Sequence, residues 1–304
     1  MIHLDIHNET ATLKAVLLGI ADDFGGTPTV GDCYDPKSKL HVIEGTYPTE
    51  ANCSAELQAL AQVLDKYNIQ IFRPENIKGL NQIFSRDIAF VIEDKLVLPN
   101  IIQQRRGETH ALGALLDQLK PNSTISMPEE ARAEGGDVMP WNDYIFVGYS
   151  EEEDFRMYTS ARTNRAGLDF LASTFSSKKV KGLELIKSDD DPRENALHLD
   201  CCFQPIGMGK AILYRDGFKQ PEDVEFLVNY FGHENLIEIT QDEMHEMNTN
   251  VFSIAEDVIV SESGFIRLNK LLRDLGFTVE EVPYAETSKM GGLFRCSTMP
   301  LIRR

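Results

Sequence analysis

The chain has 304 residues, 42% hydrophobic and 26% charged, enough to bury a core in one large domain or two ordinary ones. Its net charge of −18 argues against nucleic acid, whose phosphates call for Lys and Arg, and fits a cationic small molecule. No run reaches the ~18–20 apolar residues of a membrane span, the polar start MIHLDIHNET lacks the pattern of a secretory signal, and five cysteines without a CxxC or disulfide framework point to a reducing cytosol.

KAVLLGI, from Lys14, reads as the first strand. Residues 21–50 follow, rich in Gly, Pro, Thr and Asp and too long for an ordinary connection, so they are a candidate lid. Leu57, Leu60, Ala61 and Leu64 share one helix face by their i, i+3, i+4, i+7 spacing. IQIF from Ile69 is strand-like, and DIAFVIEDKLVLP is a hairpin reversing at Glu93-Asp94. The same order then repeats. Leu112, Leu115, Leu116 and Leu119 mark a helix, STISM from Ser123 a strand, and DVMPWNDYIFVGY a hairpin turning at Asn142-Asp143. SEEEDFRMYTS, from Ser150, interrupts the period as a second candidate cover or a surface loop. Leu168, Leu171, Ala172 and Phe175 resume it, with LELI from Leu183 and the hairpin DCCFQPIGMGKAILY turning at Gly207–Gly209. Next come Val224, Leu227, Val228 and Phe231, then NLIEI from Asn235, then NVFSIAEDVIVSE turning at Glu256-Asp257. A last helix face (Leu268, Leu271, Leu272, Leu275) precedes TVEEV from Thr278 and STMPLI from Ser297.

The hairpins begin at Asp87, Asp137, Asp200 and Asn250, and the next equivalent point is Cys296, a recurrence of roughly fifty residues. A fifth unit must be assembled from both ends, KAVLLGI pairing with STMPLI. That pairing closes a ring and removes the exposed sheet edges. The expectation is one α/β domain over residues 1–304 with five ββαβ modules, helices outside and inner strand ends meeting at a central channel. A doubly wound sheet would instead alternate single strands with helices.

Unusual polar residues fall where those strand ends meet: Asp87, Glu134 with Asp137, His198 with Asp200, and Cys296. Carboxylates gathered in a core are costly unless a cation pairs with them. A guanidinium is planar and forked, so carboxylates grip its edges bidentately. Its carbon is a poor electrophile that a thiolate can attack, and a histidine can protonate the departing nitrogen and then activate water. His198 and Asp200 at i, i+2 are the one metal-like pair, but no second histidine stands at a useful spacing, so no metal or cofactor is expected. The Gly291-Gly292 pair before Cys296 is either a tight turn or a close backbone approach to a ligand.

FSRD, EGGDV, HLD and RCSTMPL, in this order from Asn81 to the C-terminus, resemble the guanidino-group-modifying enzymes, a superfamily with a five-bladed α/β propeller fold. NQIFSRD, QRRGET and RCSTMPL look most like arginine deiminases. The resemblance implies a covalent amidino intermediate on Cys296, His198 as general acid and base, Asp87 and Asp200 on the guanidinium, and Glu134 aiding binding and proton handling. It implies substrate contacts for Asn81, Phe84 and Asp137, and α-carboxylate binding by Arg106 and Arg162. The chain lacks the helical insertion of arginine deiminases, is nearer in size to dimethylarginine hydrolases, and carries ten extra residues before Ala161-Arg162. The expected activity is hydrolysis of arginine or a close derivative to citrulline and ammonia. Amidinotransferases, which resemble this chain but place Asp at Glu134, dimethylarginine hydrolases and arginine dihydrolases are the alternatives. Ribosome anti-association factors resemble the same propeller but lack the Cys-His-carboxylate set. The expected partner is a small guanidino compound, with no nucleic acid or membrane. The outer helix faces leave a homo-oligomer open.

Overall fold

The computed structural model describes residues 1–304 as five three-stranded sheets. The first joins both ends of the chain. Strand β1 (Leu13–Leu18) lies between an antiparallel β15 (Thr298–Arg303) and a parallel β2 (Gln70–Phe72). The second sheet holds β3 (Phe90–Ile92), β4 (Lys95–Leu98) and β5 (Thr124–Ser126), and the third β6 (Val138–Trp141), β7 (Tyr144–Tyr149) and β8 (Lys179–Glu184). The fourth is built from β9 (Phe203–Ile206), β10 (Lys210–Leu213) and β11 (Leu236–Glu238), the fifth from β12 (Phe252–Ala255), β13 (Val258–Glu262) and β14 (Thr278–Val282). Within each of the four sheets after the first, a hairpin is followed, after a helical crossover, by a parallel third strand. Burial orders every blade. Strands β3, β6 and β9 are wholly buried, whereas β2 and β5 are half exposed. The hydrophobic strand therefore faces the axis, and the third strand lies at the rim.

Four of the five expected helices form near their predicted places, at Glu50–Lys66, Arg165–Thr174, Pro221–Phe231 and Ile266–Asp274. The face Leu57, Leu60, Ala61, Leu64 is buried as the spacing requires. Each such leucine contributes about 1.5–3 kcal/mol. The helix expected over Leu112–Leu119 is different: a 3-10 helix runs over Gln103–Leu112 and only Gly113–Leu116 is α-helical. Gly107 and Gly113 weaken a continuous helix there, and buried Arg105 ties the segment to the channel. The strand expected at LELI starts earlier, at Lys179, because β7 pairs with it in parallel from Tyr144 opposite Lys179 to Tyr149 opposite Glu184. SEEEDFRMYTS forms a short helix, Glu152–Met157, whose buried Asp154 pairs with Lys219 at 3.0 Å. Within the long early segment, Pro36–Ile43 is helical and capped by Asp35, which accepts the Ser38 amide at 2.8 Å.

Neighbouring blades meet through their hairpin turns. A Cβ on Gly207 would stand 1.7 Å from the Glu256 carbonyl oxygen, and the Met208 amide donates to Glu256 Oε1 at 2.9 Å. Gly207→Ala is therefore expected to cost about 2 kcal/mol or more, since the obstacle is backbone. Gly31, where the nearest atom is 3.9 Å away, supplies the control. Urea midpoints for both variants measure this, and an unchanged midpoint in Gly207→Ala would contradict the packing of the fourth blade on the fifth.

Candidate active site

Short helical turns ahead of the inner strands deliver the polar residues. Glu134 precedes the turn Gly135–Asp137 before β6, His198 precedes Leu199–Cys201 before β9, and Cys296 lies in Phe294–Ser297 before β15. Asp87 and Asn250 stand just ahead of β3 and β12. Such a turn reverses the chain at the axis and aims its side chains inward. Gly136 is required here, because a Cβ would meet His198 Nδ1 at 2.6 Å.

Cys296, His198, Asp87, Glu134 and Asp200 converge and are all buried. The Cys296 sulfur lies 3.6 Å from Asp200 Oδ2 and accepts from Asn250 Nδ2 at 3.2 Å. His198 Nε2 is 2.8 Å from Glu134 Oε2, which leaves Nδ1 free, 3.8 Å from Asp87 Oδ1. Asp87 Oδ2 accepts from Arg105 at 2.7 Å, but Oδ1 is buried with no partner. A buried carboxylate oxygen with no protein partner is a strong demand for a donor or a cation.

Electrostatics sort the proton carriers. Burial, and then the charges of Asp200 and Asp87, push the Cys296 thiol well above its ordinary range. Burial pulls His198 down, but Asp87 and the bond to Glu134 outweigh it and hold the imidazole above its usual pKa. Glu134, despite burial, is held well below the carboxylate range by Arg162 and His198. The centre thus pairs a thiol that resists ionisation with a readily protonated histidine.

Of the two arginines expected at a substrate carboxylate, one lies outside the centre and the other is paired within it. Arg106 is exposed and points out, and its neighbour Arg105 is the buried one, bonded to Asp87 and, at 2.8 Å, to Glu108. A 3-10 helix turns ~120° per residue, so adjacent residues cannot both face the channel. Arg162 is buried and donates to Glu134 Oε2 and to the Tyr34 carbonyl, each at 2.8 Å. Asp137 is not open to a substrate either. Its oxygens accept from Thr163 Oγ1 at 2.6 Å and the Leu199 amide at 2.9 Å, which fixes the turn beside His198. Phe84 packs where a Cβ on Gly292 would reach it at 2.3 Å, so this glycine serves packing. Asn81 is half buried, accepts the Ile83 amide at 2.9 Å and lines a cleft with Tyr34, Asp35, Leu80 and Glu108. Asp87, Glu134 and His198 bring ligand-type atoms within 4.8 Å of one another. Arg105 and Arg162 each hold one oxygen of these carboxylates, so a divalent ion would face two guanidinium groups.

Sequence reasoning missed Arg295, Glu9, Arg105 and Asn250. Arg295 lay inside the RCSTMPL motif and Asn250 at the blade-equivalent position, so both carried a signal. Glu9, alone in a polar N-terminus, carried none.

The five ββαβ blades and the Cys-His-carboxylate centre define the class: a guanidino-group-modifying α/β propeller. A family model described as "N,N dimethylarginine dimethylhydrolase, eukaryotic" matches residues 43–303, and the chain belongs to that family. The uncharacterized protein YkgA of Bacillus subtilis (strain 168) is 31% identical over 299 residues, 97% of this chain and 94% of that one. The arginine deiminase of Listeria monocytogenes serotype 4b is 24% identical over 265 residues, 73% of this chain and 61% of the deiminase. Among solved structures, the product-bound N-terminal domain of ArgZ, an arginine dihydrolase of Cyanobacteria, superposes with a TM-score of 0.77 at 20% identity. That superposition covers 95% of this chain and 97% of the ArgZ domain and bears out the expected propeller.

Because Glu134 helps hold the His198 proton, Glu134→Gln is expected to lower the His198 pKa, by about one unit if one charge-assisted hydrogen bond is lost. NMR titration of the ring, assigned with His198→Asn, measures it. A pKa that stays put or rises would contradict the pairing.

Proposed function

We propose that this chain hydrolyses the guanidinium group of arginine or a close derivative through a covalent amidino intermediate on Cys296. The observation that carries this reading is the buried, unpartnered Asp87 Oδ1 beside His198, with Asp200 at the Cys296 sulfur. Together they form a buried cradle for a planar cation. A guanidinium between the two carboxylates would offset the fields that keep the proton on Cys296, so the thiolate forms as substrate binds and its proton leaves to solvent.

The thiolate then attacks the central carbon, and imidazolium His198 protonates one nitrogen, which departs as ammonia or an amine. An amidino group bonded to sulfur remains. Neutral His198 next takes a proton from water as the water oxygen bonds to that carbon. The carbon–sulfur bond breaks, the thiolate returns, and loss of the O–H proton leaves a ureido product such as citrulline. Glu134 and Asp87 favour the charged imidazole in the first half, and Arg105 and Arg162 keep those acids ionised.

The site is closed in this arrangement: Cys296 and His198 are each 1% exposed. Tyr34 and Asp35 of the early segment lie over it. The Arg105 and Arg162 guanidiniums stand 6.0 and 5.7 Å from the Tyr34 ring, and Lys37 Nζ donates to the His245 carbonyl at 2.5 Å. Substrate entry therefore requires residues 21–50 to move, the behaviour of a lid. An α-carboxylate would have to draw Arg105 or Arg162 from Glu108 or Glu134, so substrate and lid rearrange the site together.

Incubation with arginine, methylated arginines and agmatine, with products identified by mass, tests the reaction. A ureido product without added amine is expected, and Cys296→Ser should abolish it while leaving the melting temperature within a few degrees. Ornithine formed only when glycine or another amine is present would instead establish amidino transfer, and full activity in Cys296→Ser would remove the mechanism.

A further inference from the structure

We propose that Asn250 is a catalytic residue whose side-chain N–H donates to the Cys296 sulfur and stabilises the thiolate. This rests on the reading of Cys296 as the nucleophile. Asn250 stands at the blade-equivalent position that three other blades fill with Asp87, Asp137 and Asp200. It is fully buried, and its Nδ2 lies 3.2 Å from the sulfur.

The direction of the amide follows from its other end. Oδ1 accepts two backbone N–H groups, from Arg295 at 3.0 Å and Cys296 at 3.3 Å. A flipped amide would point N–H groups at N–H groups, so the oxygen is held on the backbone and the NH2 faces sulfur. Oδ1 also fixes the turn that carries Cys296, which aligns the thiolate with the guanidinium carbon.

The charges around the sulfur make this donor necessary. Asp200 and Asp87 face it with negative charge, Cys201 adds a third group that turns negative on ionising, and the Leu293 backbone contributes a favourable contact. His198 is tied to Glu134, and the Arg295 guanidinium is taken up by Glu9, Asp200 and the carbonyls of Gly135, Gly136 and Val138. Asn250 is thus the one neutral side chain donating to the sulfur. An aspartate here, as in the other blades, would set another carboxylate against the thiolate. The sulfur becomes anionic twice, before attack and on release, so the same N–H serves both halves of the reaction.

The test is the pH dependence of Cys296 alkylation by iodoacetamide in the free enzyme, read by mass mapping in wild type, Asn250→Ala and Asn250→Asp. Asn250→Asp keeps an acceptor for both backbone N–H groups and so preserves the turn, which melting temperatures check. A hydrogen bond to a charged group is worth about a ten- to hundredfold factor. The Asn250→Ala midpoint should therefore rise by about one pH unit or more, with kcat/KM down about tenfold or more, and Asn250→Asp should exceed it on both readouts. A midpoint in Asn250→Ala superimposable on wild type, or one in Asn250→Asp at or below it, overturns the proposal. The alkylation needs no substrate. If the midpoints move as expected but wild type hydrolyses no guanidine, the Asn250–thiolate contact stands while its catalytic role falls with the proposed function.

Discussion

The structure depends on one buried cation. Arg295, fully buried on the axis, is gripped by Glu9 at 3.2 Å and by Asp200 at 3.0 Å, and it donates to the carbonyls of Gly135, Gly136 and Val138. It thereby joins the N-terminal segment, the third blade and the fourth blade to the turn that carries Cys296. Burial would lower the basicity of such a group, but Glu9 and Asp200 outweigh it and keep the guanidinium charged. Removing one partner of such a cluster leaves an uncompensated buried charge, at a cost of about 3–5 kcal/mol.

That constraint shapes the chemistry. Asp200 cannot swing away from the sulfur while Arg295 holds it. Arg105 likewise holds Asp87, and Arg162 holds Glu134. Each acid at the centre is anchored through one oxygen by an arginine, and Asp87 keeps its other oxygen free. The result is a buried, negatively charged cluster that disfavours ionisation of the Cys296 thiol. In the proposed reaction, nucleophile activation is thereby coupled to binding of the cationic substrate.

The periodic parts of this fold could be read directly. Helices such as Glu50–Lys66 bury every third or fourth residue, and the hairpins turn at Glu93-Asp94 and Asn142-Asp143, with Glu93 and Asn142 in the left-handed region. Ring closure was legible because an inner strand and its hairpin partner lie at opposite ends of the chain, and β1 does pair with β15. The central Cys, His and three carboxylates were legible because they stand at, or two to three residues ahead of, the recurring point of the repeat. The arginines were not. Arg105 and Arg106 are adjacent and chemically identical, and only the local 3-10 geometry decides which one faces the channel. Glu9 gives no local hint, since its partners are Arg295 and Arg86 far along the chain.

By itself the sequence determined the modules, their number and the residues that can carry covalent chemistry, because short-range periodicity and side-chain reactivity are local properties. The tertiary structure alone decided the pairings that set charge and proton affinity: Arg162 with Glu134, Asp137 with Thr163 and Leu199, Asn250 with Cys296. Those depend on distances between turns from different blades. A separation of 3 Å rather than 6 Å in a dry interior changes both the Coulomb energy and the hydrogen bonding on which the chemistry rests.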